Sequence, residues 1–125
     1  MIPVKILIVD DEDFILEEVS ETLTDEGYEC FLANSVRAAV EIIDTTQEIA
    51  LILTDLKMPR ETGADLINIV EAKFGSTIKF IVMSGHGNPT IGENGINLES
   101  YPFLRKPLDI EELIEKIGVV LSGKE

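Results

Sequence analysis

Three short runs, VKILIV (4–9), IALILT (49–54) and IKFIVM (78–83), are apolar at nearly every position and lack the polar spacing of a helix with one wet face. Such runs fit strands covered on both sides, and they predict the centre of a parallel sheet. Between them apolar residues recur at helical period: Phe14, Leu16, Val19 and Leu23; then Val36, Ala39, Val40 and Ile43; then Leu66, Ile67, Val70 and Phe74. Each set predicts a helix that lays one apolar stripe on the sheet. YECFLA (28–33) is less apolar and carries a charge, and YPFLRK (101–106) contains Pro102, which a ladder tolerates at an edge or a strand start. These two predict the edge strands. Over 109–121, Ile110, Leu113, Ile114, Ile117, Val120 and Leu121 fall at helical spacing behind Asp109, an N-cap with Glu112 three residues on in a capping-box arrangement.

Strand and helix thus alternate five times, which predicts an α/β doubly wound fold with a five-stranded parallel sheet and right-handed crossovers. In such sheets the site lies just beyond the carboxyl ends of the strands. One stretch breaks the alternation. In GHGNPTIGENGINLESYP (85–102), where a fourth helix is due, Gly92 and Gly95 would each cost about 1 kcal/mol relative to alanine, and Asn88, Pro89, Asn94 and Asn97 favour turns. The expectation is a fourth helix that is absent or shortened to about a turn, packed through Ile91, Ile96 and Leu98. Residues 1–121 read as one domain and 122–125 as a tail or the start of a linker.

Composition narrows the classes of function. A hydrophobic fraction of 45% supports a core in a chain of 125 residues, and 24 acidic against 10 basic residues give a formal charge of −14. That balance excludes direct contact of this domain with nucleic acid or an anionic membrane, both of which need basic patches. Cys30 is single, so no intramolecular disulfide forms, and the apolar start of the chain runs at once into four acids, unlike a signal peptide. No apolar run approaches the roughly 20 residues of a membrane span. The reading is cytoplasmic.

If the sheet is parallel, four strand ends meet on one edge: VDDED, TDLKMP, MSGHG and RKP. Carboxylates crowded there repel one another and call for a cation. Asp10, Asp11 and Asp55 offer oxygen ligands to one hard ion, and Mg²⁺ suits a few carboxylates with retained waters. Ser84 and Lys106 add a hydroxyl donor and a positive charge, the apparatus that binds phosphoryl oxygens. His86 is the single histidine, which excludes a multi-histidine metal centre.

This constellation resembles the receiver domain of bacterial two-component response regulators over nearly the whole chain; DLKMP, Gly63 and Lys106-Pro107 also fall where that family has them. The resemblance implies a flavodoxin-like receiver fold with strand order 2-1-3-4-5. It implies Mg²⁺ on Asp10, Asp11, Asp55 and the backbone carbonyl of Lys57, with a direct bond from Asp11 and a water-mediated one from Asp10. Asp55 would accept a phosphoryl group from a sensor histidine kinase or a histidine phosphotransfer protein, and Ser84 and Lys106 would contact it. Lys57 and His86 would tune how fast the aspartyl phosphate hydrolyses. Phe103 matches the aromatic switch position, which would alter the surface of the fourth helix, fifth strand and fifth helix. A covalently linked output domain and a phosphorylation-dependent dimer are compatible with it, and the domain would be a regulatory acceptor that assists its own phosphorylation and dephosphorylation, not an enzyme. A cis Lys106–Pro107 bond is also expected.

Rival classes fare less well. A flavodoxin-like cofactor binder needs a phosphate-cradling loop where DDEDF stands without glycine, and a haloacid-dehalogenase-like phosphatase needs an acid where Lys57 stands. A receiver that works without phosphorylation, as an interaction module, remains the alternative.

Overall fold

The three all-apolar runs form β1 (Lys5–Val9), β3 (Ile49–Asp55) and β4 (Lys79–Ser84), flanked by β2 (Glu29–Ala33) and β5 (Phe103–Arg105). The computed structural model describes residues 2–75, 77–85 and 100–123. All pairings are parallel and the order is β2-β1-β3-β4-β5, as expected. Among the described residues α1 (Asp13–Asp25), α2 (Val36–Thr45) and α3 (Gly63–Phe74) connect successive strands, and α4 (Ile110–Ser122) follows β5. None of them is long and apolar enough to cross a membrane.

The apolar runs have no polar alternation because each face of a strand meets its own helix layer. Successive side chains point to opposite faces. Ile6, Ile8, Leu51, Leu53, Ile81, Met83 and Leu104 enter one core with α1 and α4, through Ile15, Leu16, Val19, Leu23, Leu113, Ile117 and Val120. Leu7, Val9, Ile52, Phe80 and Val82 enter the other with α2 and α3, through Val36, Ala39, Ile43, Leu66, Ile67 and Val70. A leucine or isoleucine buried in this way contributes about 1.5–3 kcal/mol, so both layers hold the strand ends rigidly in place.

The structure corrects several expectations. Phe14 does not join the α1 stripe; it is 63% exposed, and Ile15 takes the buried place. Phe74 and Ile110, at the ends of their helices, are also partly exposed. β5 is shorter than the run that predicts it, and Pro102 stands just before it, its carbonyl accepting from the Val82 N–H at 2.9 Å. At α4, Asp109 accepts from the Glu112 N–H at 3.1 Å, half of the predicted box. A full capping box closes the start of α3 instead: the Thr62 hydroxyl accepts from the Asp65 N–H, and the Asp65 carboxylate accepts from the Thr62 N–H at 2.8 Å. The Lys106–Pro107 bond is cis. The expected loss of the fourth helix concerns 86–99, outside the described residues.

Candidate functional site

β1 delivers Asp10 to the sheet edge, where its N–H donates to the Ala33 carbonyl at 3.1 Å and its side chain is fully buried. Both carboxylate oxygens are engaged: Oδ1 accepts from the Glu12 N–H at 2.9 Å, and Oδ2 accepts from Lys106 Nζ at 2.6 Å. Asp55, the last residue of β3 and 7% exposed, places Oδ2 3.2 Å from the same ammonium. Lys106 leaves β5 with its own N–H donating to the Ser84 carbonyl at 3.0 Å. Residues from four strand ends are thereby brought together, as the parallel topology requires.

Burial raises the Asp10 carboxyl above its ordinary value, opposed by the Lys106 ammonium and the Glu12 N–H. Burial also raises Asp55, the charge of Asp10 adds to it, and Lys106 and the Lys57 N–H pull the other way. For Lys106 burial works against the charged form, but the Asp10 hydrogen bond and the charges of Asp55 and Asp10 outweigh it, so its pKa is raised and it stays cationic. One ammonium thus faces more negative charge than it can balance. Ligand oxygens of Asp10, Asp11 and Asp55 all lie within 4.8 Å of one another. Asp11 is exposed where Asp10 is buried, and it borders a shallow cleft of about 350 Å³ with Glu12, Asp55, Lys57, Gly85 and Lys106. An all-oxygen donor set with excess negative charge and room for water fits Mg²⁺, the ion that receiver domains generally bind at such an acidic cluster.

The backbone around Asp55 is constrained sterically. A Cβ on Gly63 would lie 2.5 Å from the Asp55 carbonyl oxygen and 3.1 Å from Leu56 Cα, so only glycine lets α3 start this close to the strand end. The Gly63 N–H donates to the Leu56 carbonyl at 3.0 Å, and the Thr54 hydroxyl donates to the Asp55 carbonyl at 2.9 Å. Ser84, 5% exposed, ends β4 beside them. Phe103 is half-buried, against the core under α2 and α3. His86 lies outside the described residues. Two participants escape the sequence reading. Glu12 comes within 3.5 Å of Lys106 Nζ. The Thr62–Asp65 box, which aims α3 at the site, was readable as a Thr-x-x-Asp signature.

The chain matches the family model described as the response regulator receiver domain over residues 6–118. Among curated proteins it is similar to the sporulation initiation phosphotransferase F of Bacillus subtilis, 29% identical over 96% of this chain and 95% of that protein. The chemotaxis protein CheY of Treponema pallidum is 26% identical over 96% of this chain and 84% of its own length. The chain spans about half the length of several other curated relatives; the transcriptional regulatory protein CpxR of Escherichia coli, 27% identical, is matched over 94% of this chain and 49% of its own. Among solved structures, a response regulator receiver protein from Pseudomonas putida is 27% identical with a TM-score of 0.78, covering 100% of this chain and 99% of that one. A CheY-like receiver domain protein from Methanospirillum hungatei is 25% identical with a TM-score of 0.83, covering 98% and 97%.

Proposed function

Because the chain belongs to the response regulator receiver family, whose general function is phosphoryl acceptance, we propose that Asp55 is its phosphoacceptor and that a phosphohistidine of a sensor histidine kinase or phosphotransfer protein is the donor. The observation that carries this reading is the Lys106 ammonium seated between Asp10 and Asp55, at 2.6 and 3.2 Å. Asp10, Asp11, Asp55 and the backbone carbonyl of Lys57 would hold Mg²⁺, which when bound offsets charge on the phosphoryl oxygens. A carboxylate oxygen of Asp55 forms the bond to phosphorus as the donor's P–N bond breaks, and the departing electron pair returns to the imidazole nitrogen, which takes a proton from solvent. Lys106 and the Ser84 hydroxyl bind the transferred oxygens, and Phe103 follows Ser84 by turning into the space it vacates. Lys57 and His86 flank the approach of the hydrolysing water.

Acting in the cytoplasm, the domain would be a regulated acceptor. The length of relatives such as CpxR supports a covalently linked output domain, and a phosphorylation-dependent dimer is a second route to output. The acidic charge speaks against direct nucleic-acid or membrane contact by this domain. Intact mass spectrometry after incubation with acetyl phosphate and Mg²⁺ tests the reading: wild type should gain one phosphoryl group, and Asp55→Asn or added EDTA should abolish it. An adduct that survives in Asp55→Asn assigns the acceptor elsewhere, and its absence in wild type returns the chain to a phosphorylation-independent interaction module.

A further inference from the structure

Lys106 reaches the acids from the weakest strand of the sheet. β5 has three residues and, among the described residues, pairs on one side only, with β4. Short edge strands open easily, because half of their backbone groups have no ladder partner. The bonds that the Pro102 carbonyl accepts from the Val82 N–H and that the Lys106 N–H donates to the Ser84 carbonyl put residues 102 and 106 on the β4 side. By alternation the Phe103 carbonyl then faces the open edge.

Two contacts secure that edge from opposite helix layers. Lys116 of α4 donates from Nζ to the Phe103 carbonyl at 3.2 Å. Two residues earlier, the Tyr101 hydroxyl donates to Glu71 Oε2 of α3 at 2.7 Å, and its ring meets Phe80 of β4 edge-on at 6.0 Å between centroids. Burial and the Glu71 carboxylate both hold this phenol in its neutral, donating form. The entry of β5 is tied to α4 at one residue and to α3 at another, while its exit carries Lys106.

We propose that Lys116 and Tyr101 are positioning residues for phosphoryl acceptance: they pin the entry of β5 so that Lys106 is presented to Asp10 and Asp55 from a fixed strand. The proposal rests on the phosphoacceptor reading of Asp55 and names residues remote from the reacting atoms that serve it. Lys116 also closes the β5 edge against pairing with another chain, a use of edge lysines found in many sheets.

The test compares wild type, Lys116→Met, Lys116→Arg and Tyr101→Phe. Two readouts are taken: the initial rate of adduct formation from acetyl phosphate with Mg²⁺, and amide exchange at Val82 and Lys106, whose N–H groups bond across the β4–β5 ladder. Loss of one pin should speed exchange at these amides roughly three- to tenfold. By loosening Lys106 within the closed state it should also slow adduct formation, by a smaller factor of about two, without lowering its final extent. Lys116→Arg should restore both, since a guanidinium also reaches a carbonyl. Faster exchange with an unchanged rate would overturn the positioning role, and unchanged exchange would overturn the pins themselves. Failure of wild type to form any adduct would overturn the phosphoacceptor reading instead, and the pins would still be judged by exchange in the unmodified protein.

Discussion

Removing the charge at Asp55 should make the metal-free protein more stable, in spite of breaking an ion pair. At an effective dielectric near 20, the Lys106–Asp55 approach of 3.2 Å is worth about 5 kcal/mol of attraction. Two carboxylate oxygens 4.8 Å apart, the outer limit within the Asp10, Asp11 and Asp55 group, repel by about 3.5 kcal/mol. At most about 1.5 kcal/mol of net attraction remains, while burying each ion costs several kcal/mol after relaxation. Desolvation therefore decides the sign, in keeping with the raised pKa of Asp55. Asp55→Asn keeps the shape, leaves Lys106 to Asp10, and should stabilise the metal-free protein by about 1–2 kcal/mol. For a domain of this size that amounts to a rise in Tm of about 3–8 °C.

The pH dependence carries a definite sign. Asp10 and Asp55 have folded-state pKa values above their ordinary 3.8, so near and above that value the folded state binds more protons than the unfolded one. Their contribution is fully present below the unfolded pKa and is lost as pH rises through the elevated values. The remaining charge of this strongly acidic chain acts on both proteins alike, so the informative quantity is the difference in Tm between Asp55→Asn and wild type. Thermal melts followed by circular dichroism in EDTA should show that difference growing from pH 4 to pH 8. Millimolar Mg²⁺ should shrink it, because binding favours the folded wild type with its full acid set. A variant less stable than wild type in EDTA, or a difference flat with pH, would refute the claim that burial and repulsion outweigh the lysine.

Gly63→Ala should cost about 1–3 kcal/mol in denaturant unfolding and also slow phosphoryl uptake, since the added Cβ meets backbone atoms of Asp55 and Leu56 that cannot step aside. The Tyr101 phenol, pushed up to about 12 by burial and by Glu71, should titrate late in ultraviolet absorbance. Its stabilising contribution should be intact below its ordinary value of 10.0 and lost as pH rises through about 12, and Glu71→Gln should move the midpoint down.

How far the sequence reveals this molecule depends on whether a feature is periodic or singular. β1, β3 and β4 were readable because burial on both faces leaves continuous apolar runs, and the acids at their ends stand out against that background. Asp10, Asp11, Asp55, Ser84 and Lys106 converge once the sheet is parallel, so topology alone brings together residues 96 positions apart. Phe14 was misread because neighbouring helix positions differ by about 100° around the axis. A pattern containing both Phe14 and Ile15 fixes the stripe only to within one residue, and packing against β1 and α4 selects Ile15.

Singular contacts leave no such trace. Nothing periodic marks Lys116 for the Phe103 carbonyl or Tyr101 for Glu71; each lies 13 or 30 residues from its partner and depends on how α4 and α3 cross the sheet. The strand they hold was overestimated for a related reason. YPFLRK has the composition of six strand residues, but only Phe103–Arg105 form β5, with single backbone bonds to β4 at Pro102 and Lys106, and on the outer side the Lys116 ammonium takes the Phe103 carbonyl. Asp10 and Asp55 are thus held at the ends of interior strands, where burial enforces position. The lysine of the site is held by an edge, where position rests on individual hydrogen bonds. It follows that substitutions altering how firmly Lys106 is presented, without touching the acids, should concentrate at residues 71, 101 and 116.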